Sequence, residues 1–258
     1  MVFVTEFTTY RESVAAVLEK AMLEQALEHA EDIVIKPNLL QDSPPPTTTD
    51  AGCVEAIIDF IQERCPGHTI TVAEGSGGCD TGDAFRILGY EEMAQKKGVG
   101  LVDLDKEENE PYTADNALEW DKIYLPKILM NVFLISVPVL KHHTITQVTL
   151  SLKNLIGILP AEHYSGYWSY RKSMVHKYDV EKIIHDIHCV RKADFAVIDA
   201  AIGQAGSHLR GGKPFDPPVR KIIASQDPVK ADEEGCRLLK IHPEDVEHIT
   251  YCKRVYGN

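Results

Sequence analysis

The run Val132-Phe133-Leu134-Ile135-Ser136-Val137-Pro138-Val139-Leu140 constrains the fold more than any other part of the chain. A short apolar stretch rich in β-branched residues reads as a buried strand. Residues 141–154 follow at once and carry two adjacent histidines, two lysines, three threonines, a glutamine and an asparagine. In open α/β sheets, ligands bind just outside the carboxyl ends of the strands. The polar stretch is therefore placed where a ligand site belongs. The plainer reading is ordinary core, with Leu150, Leu152, Leu155 and Ile156 buried and His142 and His143 merely ending a strand.

Further strands and helices alternate around this run. Residues 10–30 read as an amphipathic helix with Val14, Val17, Leu18, Ala21 and Met22 on one face. A strand at 32–36 ends in Pro37-Asn38, where proline has no donor for the ladder. After a loop with three prolines, a helix starts at a threonine or Asp50 and runs to about Arg64. Strands are expected at 69–73, 99–104, 195–199 and 219–224, with a polar loop over 106–118 and a short extended piece at 122–125. Helices are expected at 179–190, from Pro228 and from Pro243, where proline suits the first turn. Such alternation predicts an α/β fold: a layered, mainly parallel sheet flanked by helices. One domain over 1–258 is expected, with an irregular excursion at about 141–178.

Charge narrows the function. The chain carries 39 acidic and 27 basic residues, a net charge of -12. Phosphate backbones need a concentrated basic surface, so nucleic acid is not expected as a partner. A small anion in a local basic pocket remains compatible. No stretch approaches the roughly 18 apolar residues of a membrane span, and residues 1–6 lack a secretory pattern. A cytoplasmic protein is expected. None of the six cysteines forms a Cys-x-x-Cys pair, so no intrinsic iron–sulfur cluster is expected.

Several strand ends carry candidate chemistry. Lys36 and Asn38 follow one strand. Glu74 ends another, and the turn after it, with Gly75, Gly77 and Gly78, suits an anion approached by backbone N–H groups; a tight turn needing positive φ is the alternative. Asp199 ends a third strand, before the glycine-rich loop 203–213, whose Arg210 and Lys213 suit a phosphate or carboxylate. With His142, His143, Lys153 and Asn154, these residues are expected to line one crevice. Lys153 would bind an anionic cofactor or substrate, or form a covalent bond if apolar neighbours lower its pKa. His142 or His143 would move a proton. His185 and His188 share a helix face and suit either a metal or a half-exposed surface. The expected function is an enzyme doing proton-transfer or redox chemistry on a small organic acid. The alternative is a non-catalytic binding protein. Tyr164, Tyr167, Trp168 and Tyr170 suit a lid or a contact between two copies.

Ile35-Lys36-Pro37-Asn38-Leu39, Thr49, Ala73-Glu74-Gly75, Ser136-Val137-Pro138, Leu140-Lys141-His142-His143, Thr146, Thr149, Leu152-Lys153-Asn154, Gly157, Ala224-Ser225 and Asp227 occur in that order. In this the chain resembles the prokaryotic family called domain of unknown function 362. Many relatives carry a ferredoxin-like segment, which implies a ferredoxin-like electron-transfer partner. A more distant likeness is to the N-terminal domain of the lactate racemase family, in the spacing from His143 to Lys153 and the later histidines. That likeness implies a metal or nucleotide-derived cofactor held by Lys153, acid/base work by His143, and metal ligation by His143, His163 and His176. Leu150-Ser151-Leu152 stand where that family has a glycine pair.

Overall fold

The computed structural model describes residues 1–209 and 211–257. Its strands are β1 (Val2–Glu6), β2 (Asp32–Pro37), β3 (Thr69–Glu74), β4 (Gly100–Asp103), β5 (Asn109–Thr113), β6 (Lys122–Pro126), β7 (Phe133–Val137), β8 (Val139–His143), β9 (Gln147–Thr149), β10 (Phe195–Ala205), β11 (Lys213–Pro214) and β12 (Lys221–Ser225). Among the described residues, ten of them form one sheet in the order β1-β12-β10-β7-β2-β3-β4, with β8 beside β10, β9 beside β8 and β11 beside β10. The centre is parallel: β10 with β7, β7 with β2, β2 with β3, and β3 with β4. Strands β12 and β1 continue one edge antiparallel. The expected layered, mainly parallel α/β architecture is the one observed.

Side-chain alternation explains the layers, since successive residues of a strand point to opposite faces. Ile33, Ile35, Ile135, Val137, Phe195 and Val197 meet the helices Tyr10–Lys20 and Ala51–Arg64 on one side. Val34 and Leu134 meet Ile183 and Ile187 of the helix Val180–Val190 on the other. Ala196, Ile198 and Ile223 share that second face with Val229 and Cys236 of the helix Pro228–Leu238. Central parallel strands covered on both faces need unbroken apolar runs, which is why Val132–Leu140 stood out. Asp50, through its side chain, caps the Ala51–Arg64 helix by accepting from the Gly52 amide at 2.8 Å. Among the described residues, no helix is long and apolar enough to cross a membrane.

Three local expectations are corrected, and one element had no expectation. The helix over 10–30 stops at Lys20, because Met22 turns left-handed at φ 57°, and one further turn covers Leu23–Ala26. Residues 109–113 of the expected polar loop are β5, which pairs antiparallel with β6. The opening residues form an edge strand, β1, whose pairing with β12 no local pattern announced. The apolar run is two strands, since Pro138 divides β7 from β8; its carbonyl accepts from Asp199 N at 2.9 Å.

Candidate anion site at the strand ends

Lys36 is the last buried residue before Pro37 stops β2, and it is only 1% exposed. A buried ammonium needs a partner. Its Nζ donates to Glu74 Oε1 at 2.7 Å, to Asn154 Oδ1 at 3.3 Å and to the Pro37 carbonyl at 3.0 Å. Burial pulls the Lys36 pKa down, and the Glu74 charge opposes that pull. Glu74 also accepts from the amides of Leu39 and Gly75, each at 2.9 Å. Asn154 ties the two strand ends together. Its Nδ2 donates to the Lys36 carbonyl at 3.0 Å and to Ser136 Oγ at 3.1 Å, while Oδ1 also accepts from Asn38 Nδ2 at 3.1 Å.

Above this network is a cavity of about 130 Å3, whose lining includes Lys36, Glu74, Lys141, His143, Lys153 and His176. Lys141, on β8, is fully buried. Its Nζ donates to Asn38 Oδ1 at 2.6 Å and to the Thr47 carbonyl at 2.8 Å, both neutral acceptors. Burial lowers its pKa to about 7, helped by the Lys153 charge and opposed by Glu74. Lys153 is 8% exposed and has no hydrogen-bonding or carboxylate partner at its Nζ among the described residues. Burial lowers its pKa to about 8, against the attraction of Glu181. A fourth cavity lysine, Lys172, is paired with Asp105 at 2.5 Å.

Three imidazoles share the same space. His143 Nδ1 accepts from the amides of Ile145 and Thr146, both at 3.1 Å. In the neutral ring the hydrogen must then sit on Nε2. Burial first, and Lys153 next, push the His143 pKa far below its ordinary value. Its ring stacks on His208 at 3.7 Å. Burial lowers the His208 pKa to about 4, with Lys153 adding to it. His176 lies 4.8 Å from Trp168, which is 63% exposed and lines the cavity from its rim. The Nδ1 atoms of His176 and His208 are buried with no partner among the described residues.

The glycine turn acts differently from the anion cradle expected. Gly75 N–H is given to Glu74, Ser76 N–H to Thr81 Oγ1 at 3.0 Å, and Gly78 N–H to the Leu40 carbonyl at 2.8 Å. Asp80 caps the helix that follows and puts a carboxylate where an anion would sit. Gly75 and Gly77 line the cavity and Gly78 does not. The need for glycine is steric: a Cβ on Gly75 would lie 2.6 Å from the Gly157 carbonyl and 2.6 Å from Lys172 Nζ. A Cβ on Gly157 would strike Glu74 Oε1 and lie 2.6 Å from Lys36 Nζ. We expect Gly157→Ala to destabilise the fold by about 1–3 kcal/mol, read from the urea midpoint. An unchanged midpoint would show that this contact relaxes freely.

Lys36, Asn38, Glu74, Gly75, Gly77, His143, Lys153, Asn154 and His176 are thus brought together, and besides Gly78 three expected residues are not. Asp199 faces a separate hollow beside Pro45 and Pro46, where Tyr10 Oη donates to it at 3.0 Å and burial raises its pKa to about 6. His142 points to the other side of β8, its Nδ1 accepting from Gly206 N at 3.2 Å. His163 stacks on Tyr124 at 3.8 Å and bonds Asn109 at 2.8 Å, away from the cavity. The expected trio His143, His163 and His176 is therefore not assembled. His143 has its Nδ1 lone pair engaged and its Nε2 protonated, so its neutral ring has no lone pair free for a metal. Among the described residues, no group of three His, Cys, Asp or Glu side chains is arranged to hold a metal ion. The residues present do not fit the nickel cofactor that the racemase likeness implied. His185 and His188 are buried rather than half-exposed. His185 pairs with Asp186 at 2.9 Å, and His188 bridges the Leu152 carbonyl at 3.0 Å and Tyr256 Oη at 2.9 Å. Arg210 lies outside the described residues, and Lys213 is exposed on β11.

Sequence reasoning missed Lys141, Lys172 and His208 as site residues. The period of two along β8 was the available signal for the first, since it puts Lys141 and His143 on one face and His142 on the other. Nothing local marks His208 or Lys172, which reach the cavity from distant loops.

The sequence matches the family described as domain of unknown function (DUF362) over residues 33–237. The chain belongs to the DUF362 family. Every residue named above on the cavity, from Lys36 to His208, lies within the matched region. A comparison with curated proteins finds no match. The DUF362 match does not carry the likeness to lactate racemases, and DUF362 membership brings no chemistry of its own.

Proposed function

We propose that the cavity binds a small organic anion and that the protein acts on it as an enzyme through proton transfer. One observation carries the reading: Lys141 and Lys153 are buried on the same cavity with no carboxylate partner among the described residues. A buried charge without a counter-charge is expensive, and an anionic ligand supplies the missing charge. Glu74 and Asp105 are already taken by Lys36 and Lys172. A cavity of about 130 Å3 suits an acid of a few carbons better than a nucleotide. Ligand-sized pockets are roughly 300–1,000 Å3, and one of about 150 Å3 holds benzene. The histidine nitrogens without partners would give the bound acid groups that move protons.

Titration calorimetry with phosphate, pyruvate and lactate tests the binding. Lys153→Met or Lys141→Met is expected to weaken the tightest of these by about 30-fold or more, since leaving a desolvated charge unpaired costs about 2–5 kcal/mol. Affinity should also fall as pH rises through 7 to 8, because Lys141 and Lys153 lose their protons there. Equal affinity in wild type and both variants, or affinity flat across that pH range, would remove the two lysines from the binding site.

A further inference from the structure

We infer that Lys153 is a Schiff-base nucleophile for a small keto acid, with Lys141 as the fixed donor to its carboxylate and His143 as the donor to the carbonyl oxygen. The inference rests on the anion-binding reading and adds the reactive class of the ligand. Two lysines face the cavity without a carboxylate, and their surroundings divide the labour. Lys141 is held as a donor by Asn38 and Thr47, so its nitrogen has no freedom to attack. Lys153 has no hydrogen-bonding partner at Nζ among the described residues and is free to present a lone pair. Desolvation of a lysine by burial is a recurring way to keep an amine neutral near physiological pH. Burial brings the Lys153 pKa to about 8, which agrees with that placement.

His143 completes the arrangement. Because its Nδ1 accepts two backbone amides, Nε2–H is the polar group it has left for a ligand. It is held neutral, so it can polarise a carbonyl oxygen without giving up a proton. The anionic end of a keto acid would meet Lys141. Its carbonyl carbon would meet the Lys153 amine. The lone pair of Lys153 forms the C–N bond as the C=O π pair moves onto oxygen, and the amine proton follows to give the carbinolamine. The hydroxyl then leaves with one added proton as water, and the nitrogen lone pair forms the iminium. Ammonium plus ketone becomes iminium plus water, so charge and atoms balance with no further reagent. His176 and His208, with their partnerless Nδ1 atoms, are placed to relay the added proton.

The test is reductive trapping. Full-length protein is treated separately with pyruvate, glyoxylate and acetoacetate in the presence of cyanoborohydride, then digested and mapped by mass spectrometry. The expected result is a reduced adduct on Lys153, formed about tenfold or more faster than on any other lysine, with at least one of the three acids. Lys153→Arg keeps the charge but not the nucleophile. It should retain anion binding by calorimetry while losing the adduct. If it does not fold, peptide mapping of the wild type decides alone. Lys141→Met should raise the keto-acid concentration needed for half-maximal trapping by about 30-fold while the adduct stays on Lys153, a split that simple loss of packing does not produce. Binding of the acids with no selective adduct on Lys153 would overturn the Schiff base and leave the anion site standing. Neither binding nor adduct would overturn both. An adduct centred on Lys141, or spread evenly over exposed lysines, would also overturn the assignment.

Discussion

Glu74→Ala is expected to destabilise the protein by about 3–5 kcal/mol, because removing one partner of a buried ion pair leaves the other charge uncompensated. The Lys36 ammonium would be that charge: it is 1% exposed and its pair with Glu74 is 2.7 Å long. Two amides, of Leu39 and Gly75, would lose their acceptor in the same step. Urea unfolding should show a lower midpoint at an unchanged slope. For a chain of this length, about 2–4 °C of melting temperature accompanies each kcal/mol, so a drop near 10 °C is expected. Lys36→Met alone should cost less, since it removes the charge that needs a partner. The double variant should be more stable than the two single losses summed, because the stranded ammonium is gone. A loss under about 1 kcal/mol for Glu74→Ala would mean that water or Asn154 satisfies Lys36 without the carboxylate.

The second large effect is acid lability through His188. This imidazole is fully buried, with both nitrogens engaged by Leu152 and Tyr256, and burial lowers its pKa to about 4. An unfolded histidine titrates near 6.5. Between the two values the unfolded chain binds a proton that the folded chain refuses, so stability rises with pH across that window. The contribution is whole above pH 6.5 and is lost as pH falls towards 4, in an amount of about 3 kcal/mol. Asp232 acts in the opposite sense. Burial raises its pKa to about 7, so the folded state keeps a proton that the unfolded state releases, and its contribution declines as pH rises from 4 to 7. The total slope therefore mixes both. Wild type and His188→Gln should be compared by urea midpoint at pH 4.5 and 6.5, since glutamine can bond but cannot take the proton. The wild type should lose about 2–3 kcal/mol more than the variant over that interval. Parallel loss in the two proteins would place the acid sensitivity elsewhere.

These two tests touch different parts of what the fold does with buried charge. The Lys36–Glu74–Asn154 network satisfies every charge it buries, and so it acts as scaffold. Lys141 and Lys153 lie next to it without counter-charges. That contrast, between neighbours in one cavity, separates the residues that hold the site from those proposed to act in it. Asn154 belongs to the scaffold, although it follows Lys153 directly.

Much of the architecture was legible along the chain because it depends on short-range order. Apolar runs such as Ile33–Ile35 and Phe133–Val137 fit only strands covered on both faces, and Pro37 marks where β2 must stop. From there, strand ends bearing Lys36, Glu74 and Lys141–His143 followed as places for a ligand. Edge strand β1 escaped notice because its pairing with β12 joins residues 2–6 to 221–225, and no local pattern encodes a partner so distant.

The sequence by itself determined the α/β class, the strand ends that carry polar residues, and the family. Each rests on periodicity or on a motif read within a few residues. Only the tertiary structure decided which polar groups meet. Glu74 is spent on Lys36, the Gly75 and Gly78 amides are taken by Glu74 and the Leu40 carbonyl, and Asp199, His142 and His163 face elsewhere. His208 and Lys172 enter from loops far along the chain. The physical reason is that a side chain's charge state and availability depend on its burial and its partners. Those are set by long-range packing, which a residue's neighbours in sequence do not specify.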